Sequence, residues 1–220
     1  MPAAPFPASM STVLLVRHGE TTWNRDRRIQ GWAPSSLTDR GREQAAAVAA
    51  HLAAGGVDRV VASDLRRAKE TARAVTGATG APATFDPGWR ERGFGVYQGL
   101  PYDDLFSGHP EFAFGESGYA AAEVVPEGGE SVLEARERVL DAWARLLADL
   151  GDGETVAVVA HGGPIRLVVG HLRGWDVVRS VLDVETPNCS VTEVAVRSDP
   201  ELVSVGEVVG KGGTDQGGLY

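Results

Sequence analysis

The sequence has one cysteine, Cys189, among its 220 residues. An intrachain disulfide is therefore excluded, and a reducing, cytoplasmic location is expected. The sequence also lacks an apolar run that approaches the length of a membrane span. The longest candidate near the start, residues 13–16 (VLLV), is far shorter than a membrane span, which needs about 20 residues. No basic residue precedes this run, so it is typical of a buried strand rather than a signal peptide, and no membrane partner is expected.

Basic residues are in the minority: lysine and arginine total 21, against 30 for aspartate and glutamate, which gives a formal net charge of −9. Broad binding to the phosphate backbone of DNA or RNA needs a basic face, so a nucleic-acid partner is not expected. The apolar share of 43% and the charged share of 23% are typical of a soluble globular chain and exclude a wholly disordered one. The length suits one large domain, or one domain with an insertion.

The two ends of the chain differ in composition from the rest. Residues 1–10 carry prolines among alanines without any periodicity, which predicts a flexible arm. Residues 210–220 are rich in glycine and predict a flexible tail. Between them, residues 11–209 contain neither an internal repeat nor a linker-like stretch. We therefore expect a single domain over 11–209.

Apolar patterning predicts alternating strands and helices in this domain. The predicted strands are 12–16, 57–62, 83–86, 155–160, 190–196 and 202–209, and the predicted helices are 39–54, 65–76, 131–150 and 164–172. Thr38 is placed to cap the first helix, Gly77 to end the second, and Ser131 and Glu134 form a capping box at the third. Alternation with doubly buried strands predicts an α/β fold: a three-layer α/β/α sandwich with a mostly parallel central sheet. Residues of about 96–130 are expected to be a helical or loop insertion that forms a lid.

Cationic side chains follow three of the predicted strands. Arg17 and His18 follow the first strand, Arg66 and Arg67 the second, and His161 the strand at 155–160. Each group alone is more often an ordinary loop or a solvated helix face. Their joint occurrence at strand ends, where α/β sheets bind ligands, favours an anion pocket. Phosphate is the leading candidate, because guanidinium groups match its oxygens bidentately.

These segments resemble the motifs of the histidine phosphatase superfamily, which includes the cofactor-dependent phosphoglycerate mutases. Residues 17–24 (RHGETTWN) resemble its signature, and residues 63–72 (SDLRRAKETA) its second motif. Residues 91–95 (ERGFG) resemble its acid-bearing loop, and His161-Gly162 its second histidine. The four motifs stand in the family's order and the resemblance covers about residues 12–196.

The resemblance implies a role for each matching residue. His18 would be the nucleophile that forms a phosphohistidine, and Glu91 the general acid and later the base. The phosphate would be bound by these side chains and by one glycine: Arg17, Thr21, Asn24, Arg67, His161 and Gly162. Of the adjacent arginines, Arg67 is chosen because it precedes Ala68 as the family's arginine precedes its alanine. Neighbouring cationic groups should keep the His18 imidazole neutral.

No metal or other cofactor is expected. Neither an HExxH motif nor a paired-cysteine motif occurs in the sequence. The cations that the family resemblance assigns to the phosphate would instead compensate its charge.

The sequence favours a phosphatase over a mutase. A mutase must hold two anionic ends of its ligand, yet the segment 93–135 contains no lysine or arginine and eight acidic residues. By the resemblance, the mutases carry a lysine where this chain has Tyr102 and an asparagine where it has Gly163. We therefore predict hydrolysis of a small-molecule phosphomonoester, with a mutase and a non-catalytic phospho-ligand-binding module as alternatives. Aromatic residues of the insertion either line a lid over an organic leaving group or form its own small core, and an exposed strand edge could support a homodimer.

Overall fold

The structure is a computed structural model that describes residues 10–209. Apart from Met10, the predicted arm at 1–10 and the predicted tail at 210–220 lie outside the described residues. The described strands are β1 (Ser11–Arg17), β2 (Arg59–Ala62), β3 (Ala83–Phe85), β4 (Thr155–Ala160), β5 (Ser190–Val196) and β6 (Pro200–Val208). The described α-helices are α1 (Thr22–Arg25), α2 (Asp39–Gly55), α3 (Arg66–Thr79), α4 (Tyr102–Gly108), α5 (Phe114–Ser117), α6 (Ala120–Glu123), α7 (Val132–Ala148), α8 (Gly162–Leu172) and α9 (Val177–Leu182).

The strands form one sheet in the order β3-β2-β4-β1-β5-β6. The four strands β3, β2, β4 and β1 are mutually parallel, β5 is antiparallel to β1, and β6 is antiparallel to β5. Only β5 therefore runs against the other strands of this sheet. The mostly parallel central sheet that the sequence predicts is confirmed.

Each face of the sheet packs against its own layer of helices. In β4, Val156 and Val158 belong to the core that includes residues of α7, α8 and α9. The alternating residues Ala157 and Val159 belong to a second core with residues of α2 and α3. Because side chains alternate across a strand, burial of both faces explains why β4 is apolar at every position after Thr155. The three-layer α/β/α arrangement is confirmed.

The structure differs from the prediction at helices α3, α8 and α9. Helix α3 continues past Gly77 to Thr79, and its C-cap Gly80 adopts the left-handed conformation with φ of 73°. A glycine in a helix interior costs about 1 kcal/mol relative to alanine, which the buried face of α3 outweighs. Helix α8 begins at Gly162, before Pro164. Helix α9 is absent from the prediction, although Asp176 caps it through the Arg179 N–H at 2.8 Å.

The segment between Gly95 and Glu130 contains the short helices α4, α5 and α6 joined by loops. Leu105 and Phe112 of this segment form a small core together with Ile29 and Phe94. The role of the segment as a lid stays a prediction. None of the helices between residues 10 and 209 has both the length and the apolar character needed to cross a bilayer.

Candidate active site

His18 lies directly beyond the carboxyl end of β1 and is only 3% exposed. Its Nδ1 is 2.8 Å from the carbonyl oxygen of Gly19, which can only accept, so Nδ1 carries the proton. The lone pair of the neutral ring is therefore on Nε2, which accepts a hydrogen bond from Arg67 Nε at 3.2 Å. This tautomer presents Nε2 as the nucleophilic atom.

The loop before β5 fixes the backbone of His18. Asn188 Nδ2 donates to the His18 carbonyl at 2.9 Å, and the Cys189 N–H donates to the carbonyls of Arg17 and His18 at 3.1 and 3.3 Å. Cys189 is held with φ of 54°, a region that disfavours residues other than glycine. Gly19 allows close packing on the other side, since a Cβ there would lie 2.4 Å from a backbone oxygen of α2. His18 thus lies on a tightly held turn.

Two buried arginines flank the imidazole. Arg17 is 8% exposed; one of its terminal nitrogens donates to the Thr186 carbonyl, and its Nε is buried without a hydrogen-bond partner. Arg67 is 1% exposed and donates to the carbonyls of Gly31 and Ala33 at 2.8 and 3.3 Å. Backbone carbonyls orient both guanidinium groups, so neither is free to swing away from the site.

His161 lies at the start of α8, against His18. The two ring centroids are 5.1 Å apart. Its Nε2 pairs with Ser63 Oγ at 2.8 Å, and its Nδ1 is buried without a hydrogen-bond partner. Together with Arg17 Nε, this gives two unsatisfied nitrogens beside the nucleophile. Buried polar groups without partners are costly, so a ligand with several acceptor oxygens would stabilise both.

Burial and positive charge act on both imidazoles in the same direction. Burial lowers the pKa of His18 well below its usual value, and the charges of Arg67 and Arg17 lower it further. Burial likewise lowers the pKa of His161 well below its usual value, followed by the effect of Arg67. Both rings are therefore neutral near neutral pH, as the sequence analysis expects for His18.

Glu91 lines the same cavity as the arginines, and backbone N–H groups hold its carboxylate. Oε1 accepts from the Arg92 N–H at 2.9 Å, and Oε2 accepts from the Gly163 N–H at 3.2 Å. A Cβ on residue 163 would lie 2.1 Å from Oε1, so this position of Glu91 requires a glycine there. Glu91 and His18 line the same cavity, which has about 420 Å³ of empty space.

The structure brings almost all of the predicted site residues together. The wall of this cavity includes six of them: Arg17, His18, Asn24, Arg67, Glu91 and Gly162. His161 contacts His18, as described above. Thr21 differs, because its hydroxyl accepts from the Asn24 N–H at the start of α1 and lies 2.9 Å from both Asn24 Oδ1 and Gln30 Oε1, to one of which it donates. Thr21 therefore positions Asn24 and Gln30, which line the cavity. Thr21 itself is not one of the described residues that line the cavity.

Five further residues of the cavity wall are missing from the predicted set: Gln30, Gly31, Phe94, Tyr102 and Arg166. Arg166 lies four residues after Gly162 on α8, and this helical spacing is a signal that would have found it. Its Nε donates to the Val184 carbonyl at 2.9 Å. Burial raises the pKa of the Tyr102 phenol, which therefore keeps its proton. Gln30 has no comparable signal, since only the fold brings it to the site.

Comparison with known proteins agrees with this geometry. The profile of the histidine phosphatase superfamily (branch 1) matches residues 13–206. A relative from Enterobacter sp. (strain 638), named "Probable phosphoglycerate mutase GpmB", is 35% identical over 202 residues, 89% of this chain and 89% of the relative.

Solved phosphatase structures are similar in fold. A mycobacterial glucosyl-3-phosphoglycerate phosphatase complexed with VO3 has a TM-score of 0.75 at 29% identity, covering 89% of this chain and 98% of that one. The alpha-ribazole phosphatase from Shigella flexneri has a TM-score of 0.78 at 26% identity, covering 92% of this chain and 100% of that one. Similar proteins thus carry both phosphatase and mutase names.

Proposed function

Since the chain belongs to the histidine phosphatase superfamily, we propose that it hydrolyses small-molecule phosphomonoesters through a phosphohistidine on His18. The observation that carries this proposal is the pair of buried, unpartnered nitrogens, Arg17 Nε and His161 Nδ1, beside a neutral imidazole. A buried guanidinium needs a compensating anion, and a phosphoryl group supplies both the charge and the acceptor oxygens. The phosphatase names of similar structures support the same reaction class.

In the first half-reaction, His18 Nε2 attacks phosphorus on the side opposite the ester oxygen. The N–P bond forms as the P–O bond to the alcohol breaks. Arg17, Arg67 and the Nδ1–H of His161 compensate the charge on the non-bridging oxygens, which is the main requirement of phosphoryl transfer. Glu91 gives its proton to the leaving alkoxide, so a neutral alcohol departs.

In the second half-reaction, water replaces the alcohol. The Glu91 carboxylate takes one proton from the water as its oxygen attacks phosphorus and the N–P bond breaks. Inorganic phosphate leaves, Nε2 recovers its lone pair, and Glu91 is protonated again. The residues supply the charge compensation and the proton transfers, and we propose that the reaction needs no metal ion or other cofactor.

A phosphoglycerate mutase is the second candidate. The name of the Enterobacter relative favours it, and so does Arg166, which adds a third guanidinium to the cavity wall. Against it, the segment 93–135 has no lysine or arginine. Tyr102 and Gly163 also stand at the positions where, by the family resemblance, the mutases carry a lysine and an asparagine. The phosphatase is therefore preferred.

The decisive experiment compares wild type with His18→Ala in a chelating buffer, using an aryl phosphate. We expect metal-free hydrolysis by wild type and a fall in kcat/KM of about 10³-fold or more in the variant. His51→Ala, on the exposed face of α2, is the matched control and should keep full activity.

The same preparation separates the alternatives. Conversion of 2-phosphoglycerate to 3-phosphoglycerate that bisphosphoglycerate stimulates, without release of inorganic phosphate, would favour the mutase. Phosphate binding without turnover or covalent labelling would indicate a binding module.

A further inference from the structure

A second cavity adjoins the cavity that His18 lines, and its volume of about 480 Å³ includes space open to solvent. Glu91 and Phe94 line both cavities and form the border between them. One side of the second cavity is aromatic and comes largely from the insertion, with Phe106, Phe112 and Phe114. We call this space the apolar cavity.

The opposite side of the apolar cavity belongs to the helical layer on the sheet. Ala135 and Val139 of α7, Leu167 of α8 and Val181 of α9 face it. All four are buried members of the large core or lie against it. The insertion and the core therefore enclose an apolar space from two sides, and the aromatic residues of the insertion serve both its own small core and this cavity.

The arginines on this wall are already engaged. Arg90 forms a bidentate ion pair with Asp64. Arg92 donates to the carbonyls of Glu130 and Val124 at 3.0 and 2.9 Å, and its guanidinium lies over the Phe94 ring at 4.8 Å. A second anionic group placed here would have to compete for these contacts. The apolar cavity suits an uncharged group.

Because Glu91 lies between the two cavities, it determines how a bound phosphomonoester is oriented. In the proposed reaction the ester oxygen must lie beside the Glu91 carboxyl group while phosphorus lies beside His18. The organic group then points away from His18, and the apolar cavity begins at Glu91. The oxygen that receives the proton thus lies at the junction of the two cavities.

We propose that the apolar cavity binds the organic group of the substrate and that the enzyme prefers phosphomonoesters of uncharged, apolar alcohols. This inference rests on the proposed function. Burial of each additional methylene contributes about 0.8 kcal/mol, equivalent to about a fourfold gain in kcat/KM until the cavity is filled.

The first test is a substrate series in which the leaving alcohol keeps a similar basicity: ethyl, butyl, hexyl and benzyl phosphate. We expect kcat/KM to rise about fourfold per methylene from ethyl to butyl and benzyl phosphate to exceed ethyl phosphate by tenfold or more. Phosphoglycolate, which carries a carboxylate in place of the apolar group, should be hydrolysed more slowly than butyl phosphate. Equal rates along the series, or a preference for phosphoglycolate, would overturn the inference.

Variants of α7 test whether the organic group of the substrate binds in the apolar cavity. Ala135→Leu extends a side chain into the apolar cavity and should lower the hexyl-to-ethyl ratio of kcat/KM about tenfold. Ala144→Leu makes the same change on the exposed face of α7 and should leave that ratio unchanged. If Ala135→Leu fails to fold, Phe106→Ala replaces it and should lower the ratio of kcat/KM for benzyl phosphate to that for ethyl phosphate. The matched control for Phe106→Ala is Phe85→Ala, on the exposed edge strand β3. An unchanged ratio in the cavity variant would contradict the assignment.

A binding measurement separates failure of the inference from failure of the proposed function. Benzylphosphonate and ethylphosphonate cannot be hydrolysed at phosphorus, so calorimetry reports their affinities whether or not the protein turns over an ester. If none of the phosphate esters is hydrolysed, the proposed function fails. Tighter binding of benzylphosphonate, by tenfold or more, would still support the apolar cavity as its site. Equal affinities would overturn it.

Discussion

At the scale of single residues, Gly163 is the position on which the placement of Glu91, the proton donor of the proposed reaction, depends. Its N–H binds the Glu91 carboxylate, and its missing side chain leaves the space that Oε1 occupies. A methyl group 2.1 Å from Oε1 would force Glu91 away from its place at the junction of the two cavities. The identity of residue 163 therefore sets where the proton is delivered.

We predict that Gly163→Ala lowers kcat by about ten- to a hundredfold, because general acid–base catalysis contributes about 10²–10⁴-fold and the displaced carboxyl group loses part of it. Steady-state kinetics on an alkyl phosphate measures the change. Gly77→Ala is the matched control: a Cβ there meets no other atom within 4 Å. It should stabilise α3 by about 1 kcal/mol and leave kcat unchanged. An unchanged kcat in Gly163→Ala would show that Glu91 does not act from this position.

The sequence predicted several residues that the structure places in one cavity, because these residues follow strands directly. His18, His161 and Arg67 each stand within a few residues of the carboxyl end of a parallel strand, and the topology then brings those ends together. Asn188 and Gln30 act at the same site, but their sequence neighbourhood has no such marker. Only tertiary packing of the loop before β5 and of the segment after α1 places them there.

At the scale of secondary structure, α7 is the element whose local signals are strongest. Ser131 Oγ accepts from the Glu134 N–H at 3.0 Å, and Glu134 Oε2 accepts from the Ser131 N–H at 2.7 Å. This capping box satisfies two backbone N–H groups at the start of the helix that supports the apolar cavity. The sequence therefore predicted its start correctly.

We predict that Ser131→Ala lowers the free energy of unfolding by about 1 kcal/mol, because the Glu134 N–H loses its acceptor. Urea denaturation monitored by circular dichroism measures the difference. Ser131→Thr keeps a capping hydroxyl and should retain most of the stability. Equal stability of the wild type and the alanine variant would mean that water replaces the cap at no cost.

In other elements, tertiary packing determines where a helix forms or ends, and the local sequence pattern does not predict it. Gly77 was expected to end α3, but burial of Ala72 and Val75 and the geometry of Gly80 carry the helix onward for another turn. Helix α9 has an Asp176 cap and buried Val177 and Val181 at helical spacing, yet six residues are too few for a periodic pattern to stand out. The short helices of the insertion depend on a shared core rather than on amphipathic periodicity of their own.

At the scale of the whole molecule, the site makes folding sensitive to acid. The native state keeps His18 and His161 buried, and burial lowers the pKa of both rings. In the unfolded chain a histidine titrates near about pH 6.5. Below that pH both imidazoles bind a proton in the unfolded state but stay neutral in the native state. The free energy of unfolding therefore falls as the pH falls.

We predict that the free energy of unfolding decreases by about 1.4 kcal/mol per pH unit for each of the two histidines between about pH 6.5 and the lowered native pKa values. Urea denaturation at about pH 7 and about pH 5.5, in phosphate-free buffer, measures this decrease. His161→Gln removes one of the two groups and should reduce the slope by about half. A slope that is the same in wild type and variant would contradict a neutral, buried His161.

The central claim is that His18 Nε2 becomes covalently bonded to phosphorus, and chemical trapping tests it most directly. The protein is mixed briefly with a phosphomonoester, quenched in base, digested, and analysed by mass spectrometry. We predict a phosphoryl group on His18 that is lost in acid, kept in base, and absent from His18→Ala. Ser63, paired with His161 at 2.8 Å, is the competing nucleophile. An acid-stable phosphate on Ser63, or equal labelling of wild type and His18→Ala, would contradict the account.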